Sequence, residues 1–166
     1  MALVYRGILA PLEVCSPYDP AIDQDAWGMK PEDYLHALAT SDADVPLPPV
    51  KAGERLTVIV MSPMDYSAYE RAQYLIQRAD SEYWPTDAQV QRHILRHTIT
   101  DIREAYTEID GDRRAVRART EEGPYGRRLT AEAWESIAPF AGSQDWGIYA
   151  LVSLLRTRRQ RAASVS

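Results

Sequence analysis

The sequence predicts an α+β protein, mostly α: a small helical bundle packed on a short β-sheet, with an extended proline-rich N-terminal arm. Three observations predict it. Residues 56–61 are β-branched and apolar, the composition of a strand buried on at least one face, and they lead directly into an amphipathic segment. Leu95, Ile99, Ile102, Tyr106 and Ile109 recur at spacings of four and three, the period of one helical face. Seven of the eleven prolines precede Lys51, and proline removes a backbone donor and fixes φ.

Taken in order, residues 1–50 form the arm. Residues 3–5 and 8–10 are candidate short strands, one of which would pair with the strand at 56–61. A short helix fits with Pro31 at its start and Tyr34, Leu35 and Leu38 on one side. The core domain spans residues 51–161. After its strand, Ser62 is a candidate N-cap, with Pro63 at the first helical position and Asp65 completing a capping box. Met64, Ala68, Ala72, Leu75, Ile76 and Ala79 then supply one apolar face.

Pro85 closes a turn, and Thr86 with Gln89 makes a second capping-box pattern. The spacing predicts a long helix over residues 87–110, stopped by Gly111. Residues 112–128 read as an arginine-rich surface loop. Leu129 before Thr130, with Trp134 four residues after that cap, matches a hydrophobic staple opening a short helix. Ser143 is a candidate cap of a last helix that is apolar nearly all round, hence central to the bundle or in contact with another subunit. Residues 162–166 read as a disordered tail.

At 166 residues the length suits one domain. No stretch approaches twenty apolar residues and no signal-peptide pattern opens the chain, so an intracellular protein without a membrane partner is expected. Cys15, the single cysteine, excludes an internal disulfide and a cysteine-based zinc cluster. The net charge of −5 is unevenly spread. Residues 1–111 hold nine Lys or Arg against eighteen Asp or Glu, whereas residues 112–166 hold ten against six. Such a split points to head-to-tail electrostatics, within one molecule or between copies, or to an anionic partner.

Chemistry-bearing patterns are few. His93, His97 and Asp101 at four-residue steps would share one helical face, as a metal-dependent enzyme requires, but Ile94 stands where a zincin carries glutamate. Asp19, Asp23 and Asp25 lack the glycine and the terminal glutamate of an EF-hand loop. No glycine-rich phosphate loop and no nucleophile elbow is present. The expectation is no enzyme, no catalytic residue, no cofactor and no metal. The arginines of residues 113–128 and 156–161 offer a nucleic-acid alternative, weakened by the acidic whole.

A strand entering a Ser62-Pro63-Met64-Asp65 turn and helix, then a long helix with a mid-chain arginine-rich loop, and last a Leu129-Thr130-x-Glu132-x-Trp134 helix before an apolar segment with a basic tail resemble a known layout. It is that of small proteins of tailed-bacteriophage structural modules, including tail assembly chaperones and minor virion components. The resemblance implies a virion structural or tail-assembly protein. It would act in the host cytoplasm during assembly, with incorporation in the virion as an option. Its partners would be other copies of itself or other virion and assembly proteins. Tyr5, Tyr18, Trp27, Trp146 and Tyr149 are the expected protein-contact residues, because Tyr and Trp supply rigid contact area at low entropic cost.

Overall fold

Two rows of apolar side chains cross a three-stranded antiparallel sheet and define its buried face. The strands are β1 (Leu12–Val14), β2 (Val58–Met61) and β3 (Ile99–Arg103), in the order β1-β2-β3. One row is Val14, Ile59 and Ile102, the other Leu12, Met61 and Ile99. All six are buried, and truncating any of the isoleucines to alanine costs on the order of 3 kcal/mol. The computed structural model describes residues 11–40, 45–79 and 84–165, and the fold is α+β and mostly helical. The candidate strands at 3–5 and 8–10 lie outside the described residues; β1 and β3 are the partners of β2.

Helix α1 (Pro31–Thr40) buries Tyr34, Leu35 and Leu38, as its spacing predicts. The proline-rich segment folds back on the core: Ile22 bridges Val50, and the Asp23 and Lys51 amides donate to the Pro49 and Ala21 carbonyls at 2.9 Å each. Helix α2 is Tyr66–Arg78 and buries Ala68, Ala72 and Leu75. It starts later than the Ser62-Pro63 pattern predicts, and the Asp65 side chain makes no cap bond. The reason is tertiary. The Ser62 amide donates to the Thr98 carbonyl at 2.8 Å and the Met64 amide to Thr157 Oγ1 at 3.1 Å, so this backbone stays extended.

Helix α3 (Ala88–Thr98) is capped by Asp87, whose carboxylate accepts from the Val90 amide at 3.0 Å, one residue later than the Thr86 pattern predicts. The predicted helix over 87–110 is divided. Thr98 closes α3, and Ile99 opens β3 with no loop between them. Beyond it the predicted arginine-rich loop is two β-hairpins, β4 (Tyr106–Ile109) with β5 (Asp112–Ala115), and β6 (Thr120–Gly123) with β7 (Gly126–Leu129). Gly111 does not stop a helix. Asp110 at φ 52 and Gly111 at φ 84 form the two-residue turn of the first hairpin, where both central residues need positive φ.

Helix α4 (Ala131–Ile137) is capped by Thr130, whose hydroxyl accepts from the Ala133 amide at 3.1 Å, as predicted. Helix α5 (Ser143–Val165) runs beyond residue 161, through most of the segment read as a tail. It is the central strut. Tyr149 Oη donates to the Cys15 carbonyl at 2.7 Å, Ser153 Oγ to Met61 Sδ at 3.6 Å, and Arg158 Nε to Tyr69 Oη at 3.1 Å. Gly147 admits the Pro85 carbonyl oxygen to 2.9 Å from where a Cβ would stand, so α5 lies close against the turn before α3.

Candidate functional site

The surface that stands out is built by the first hairpin, the segment after it and α4. Every residue of β4 and β5 is exposed, including the large apolar Ile109 and Tyr106. Local pairing holds this hairpin: Thr107 faces Arg114, Glu108 faces Arg113, and the Arg113 guanidinium lies 3.9 Å over the Tyr106 ring. At its base the Val116 amide donates to the Ala105 carbonyl at 2.8 Å, and both residues are buried. Between hairpin and α4 runs an open cleft of about 690 Å³, lined by Thr107, Ile109, Arg114, Arg117, Arg119 and Glu132 among others. Arg114, Arg117 and Arg119 are exposed, and among the described residues no carboxylate lies within ion-pair distance of them. A concave face with three such arginines and an apolar floor of Val116 and Ala133 suits an anionic, partly apolar surface.

The second hairpin is fastened down. Arg96 of α3 donates to the Leu129 carbonyl from Nη2 at 2.7 Å and Nε at 3.0 Å, and lies 3.5 Å from Glu121. Glu121 also meets Arg128 at 3.2 Å across the hairpin. At its tip Tyr125 meets two neighbouring imidazoles edge-on, its centroid 5.7 Å from the His93 ring and 6.3 Å from the His97 ring.

Those histidines are where α2, α3 and the second hairpin meet. Their rings lie 4.4 Å apart; His93 Nε2 bonds the Ala68 carbonyl at 2.8 Å, and His97 Nδ1 bonds the His93 carbonyl at 2.6 Å. Burial above all pushes the His93 pKa down, from 6.5 to about 4, with His97, Arg71 and Arg96 adding to the effect. His97 is lowered too, again mainly by burial. Both rings are neutral near pH 7. Asp101, expected beside them, is exposed on strand β3, where its carboxylate accepts from the Ile102 amide at 2.9 Å. The trio is therefore not assembled. Among the described residues no three of His, Cys, Asp or Glu converge as a metal site needs. Asp19 and Asp23 cap turns through the Ala21 and Ala26 amides.

No family model, no curated protein and no solved structure matches this chain. The five expected contact residues separate by burial. Tyr5 lies outside the described residues. Tyr18 is 61% exposed, and Trp27 is half-buried with its ring edge-on to Tyr34 at 5.6 Å. Trp146 and Tyr149 belong to the chain's own core instead: Trp146 Nε1 donates to the Ala138 carbonyl at 2.9 Å, and both rings are buried. Cys15 is buried, and burial raises its thiol pKa to about 12, so it stays protonated and unreactive near neutral pH. Of the cleft-lining residues, Arg114 and Arg119 belong to the arginine set that the sequence offers for nucleic acid, whereas Ile109 is not marked there as a contact residue. The signal was present, since Asp110-Gly111 between alternating residues is a strong hairpin mark.

Proposed function

We propose that this chain is a non-enzymatic protein-interaction component, a virion structural or tail-assembly protein of a tailed phage, acting in the host cytoplasm during assembly. The observation that carries the reading is the fully exposed hairpin β4–β5 beside a wide arginine-lined cleft. An exposed two-stranded ribbon offers open backbone edges, and proteins that bind other proteins use such edges for strand addition. The titratable groups with the largest burial-driven shifts, His93, Cys15, Tyr34 and Tyr149, are tied into packing and backbone hydrogen bonds rather than turned toward an open cleft. The sequence pattern's resemblance to phage structural-module proteins supports this class, apart from its long helix and arginine-rich loop, which fold as α3, β3 and two hairpins. Among the described residues no helix is long and apolar enough to cross a membrane.

The test is fractionation of infected cells producing a tagged copy. The chain is expected with virions or with particle and tail intermediates on a density gradient. Recovery only among free small proteins, at every stage of infection, would overturn the reading.

A further inference from the structure

Resting on that reading, we infer that the occupant of the arginine-lined cleft is a second copy of this chain, docking through the acidic stretch from Tyr18 to Asp33, which exposes Tyr18, Asp25, Glu32 and Asp33. The contact joins two different patches, so it is heterologous and propagates into a ring or a filament.

Complementarity of charge and chemistry argues for this occupant. The cleft presents Arg114, Arg117 and Arg119 with no ion-pair partner among the described residues. The stretch from Tyr18 to Asp33 holds five carboxylates and one lysine. Two of the carboxylates, Asp19 and Asp23, are engaged in turns. Asp25, Glu32 and Asp33 are exposed, and they too have no ion-pair partner among the described residues. The same stretch carries Tyr18, the most exposed of the large apolar and aromatic side chains among the described residues, at 61%.

Arginine recognises such a surface twice over, bidentate to carboxylate and flat against an aromatic face. The chain already uses the second contact within itself, with Arg113 over Tyr106 at 3.9 Å and Arg161 over Tyr66 at 4.0 Å. A nucleic acid would satisfy the arginines but would have to approach a molecule of net charge −5. A second copy meets the arginines with the opposite sign and keeps its own excess negative charge distributed along the assembly.

The test is sedimentation velocity of the full chain over a range of concentrations and salt, with two charge-reversed variants. One is Arg117→Glu with Arg119→Glu; the other is Asp25→Arg with Glu32→Arg. Circular dichroism first checks that each variant keeps its helices, as substitutions at exposed positions should. The unaltered chain is expected to form multimers at low salt that dissociate as the Debye length falls from about 10 Å at 0.1 M to about 3 Å at 1 M. Each variant alone is expected to sediment as a monomer. An equimolar mixture of the two is expected to associate again, because each supplies the patch the other has lost.

A monomeric unaltered chain at every concentration and low salt overturns the inference. So do multimers that survive both reversals, or a mixture that fails to associate. Retention of single-stranded or duplex DNA that is abolished by Arg117→Glu with Arg119→Glu, while self-association persists in that variant, would hand the cleft to nucleic acid. A monomer that still co-fractionates with particles would sink only this inference and leave the assembly role standing.

Discussion

The two hairpins are matched in length and pairing, each with two strands of four residues in antiparallel register, yet they stand differently in the molecule. The first holds itself together, with every strand residue exposed. The second is clamped to α3 by Arg96, ends in fully buried Leu129, and sets Tyr125 edge-on to the His93–His97 pair. The difference teaches that ladder hydrogen bonds make a ribbon but do not decide its job. What lies behind the ribbon does. A ribbon anchored by a half-buried guanidinium is part of the core, whereas one held only at its base keeps both faces exposed.

The sharpest way to break this contrast is a pair of glycine substitutions. Gly126 has φ 96, and a Cβ there would come within 2.5 Å of Asp65 Oδ2 and 3.3 Å of Asp65 Cγ. Gly126→Ala therefore meets backbone strain and must also turn the exposed Asp65 side chain aside, and urea unfolding should show a loss of about 2 kcal/mol. Gly111 has φ 84 with open space around it, so Gly111→Ala should cost only about 1 kcal/mol, seen as faster amide exchange in β4–β5. Equal losses would mean the two hairpins are equally integral.

Arg96→Ala should cost about 2 kcal/mol, because it leaves the Leu129 carbonyl without its donors in a buried setting. Arg113→Ala on the exposed ribbon should cost under about 0.5 kcal/mol by the same denaturation measurement. Acid should also distinguish the two. The folded state holds His93 neutral with a pKa near 4, while the unfolded chain takes a proton below 6.5. Its contribution is thus fully present above 6.5 and is lost as pH falls towards 4, about 1.5 kcal/mol after allowance for partial exposure. Hydrogen exchange at pH 5 should show β6–β7 loosening more than β4–β5. His93→Gln should flatten the slope of stability against pH.

Much of the architecture was legible in the residues. The Thr130 cap, the buried side of α1 and the central α5 stand where the sequence pattern predicts them. The largest departure has an instructive cause. Ile99 and Ile102 are spaced by three, as on a helix, yet both lie on the buried face of β3 because the strand bulges: Met61 pairs with Ile99 and Val60 with Asp101, leaving Thr100 as the extra residue. A bulged strand that directly follows a helix thus continues the helical period by coincidence. The Ser62-Pro63 cap failed for another reason. Its backbone is claimed by Thr98 and Thr157, distant in sequence and invisible to any local pattern. The histidine pair was visible as a pair, but its rings serve the junction of two helices and a hairpin rather than a shared site with Asp101.

The direct passage from Thr98 into Ile99 has a bearing on how this molecule can change. With no slack between α3 and β3, one added residue would swing the helix by about 100° relative to the strand or exchange the strand's inner and outer faces. Length variation is excluded at that joint, and its natural outlet is the exposed tip at Asp110 and Gly111, where extra residues project into solvent. Insertions drifting there would reshape the ribbon while the scaffold beneath kept its dimensions.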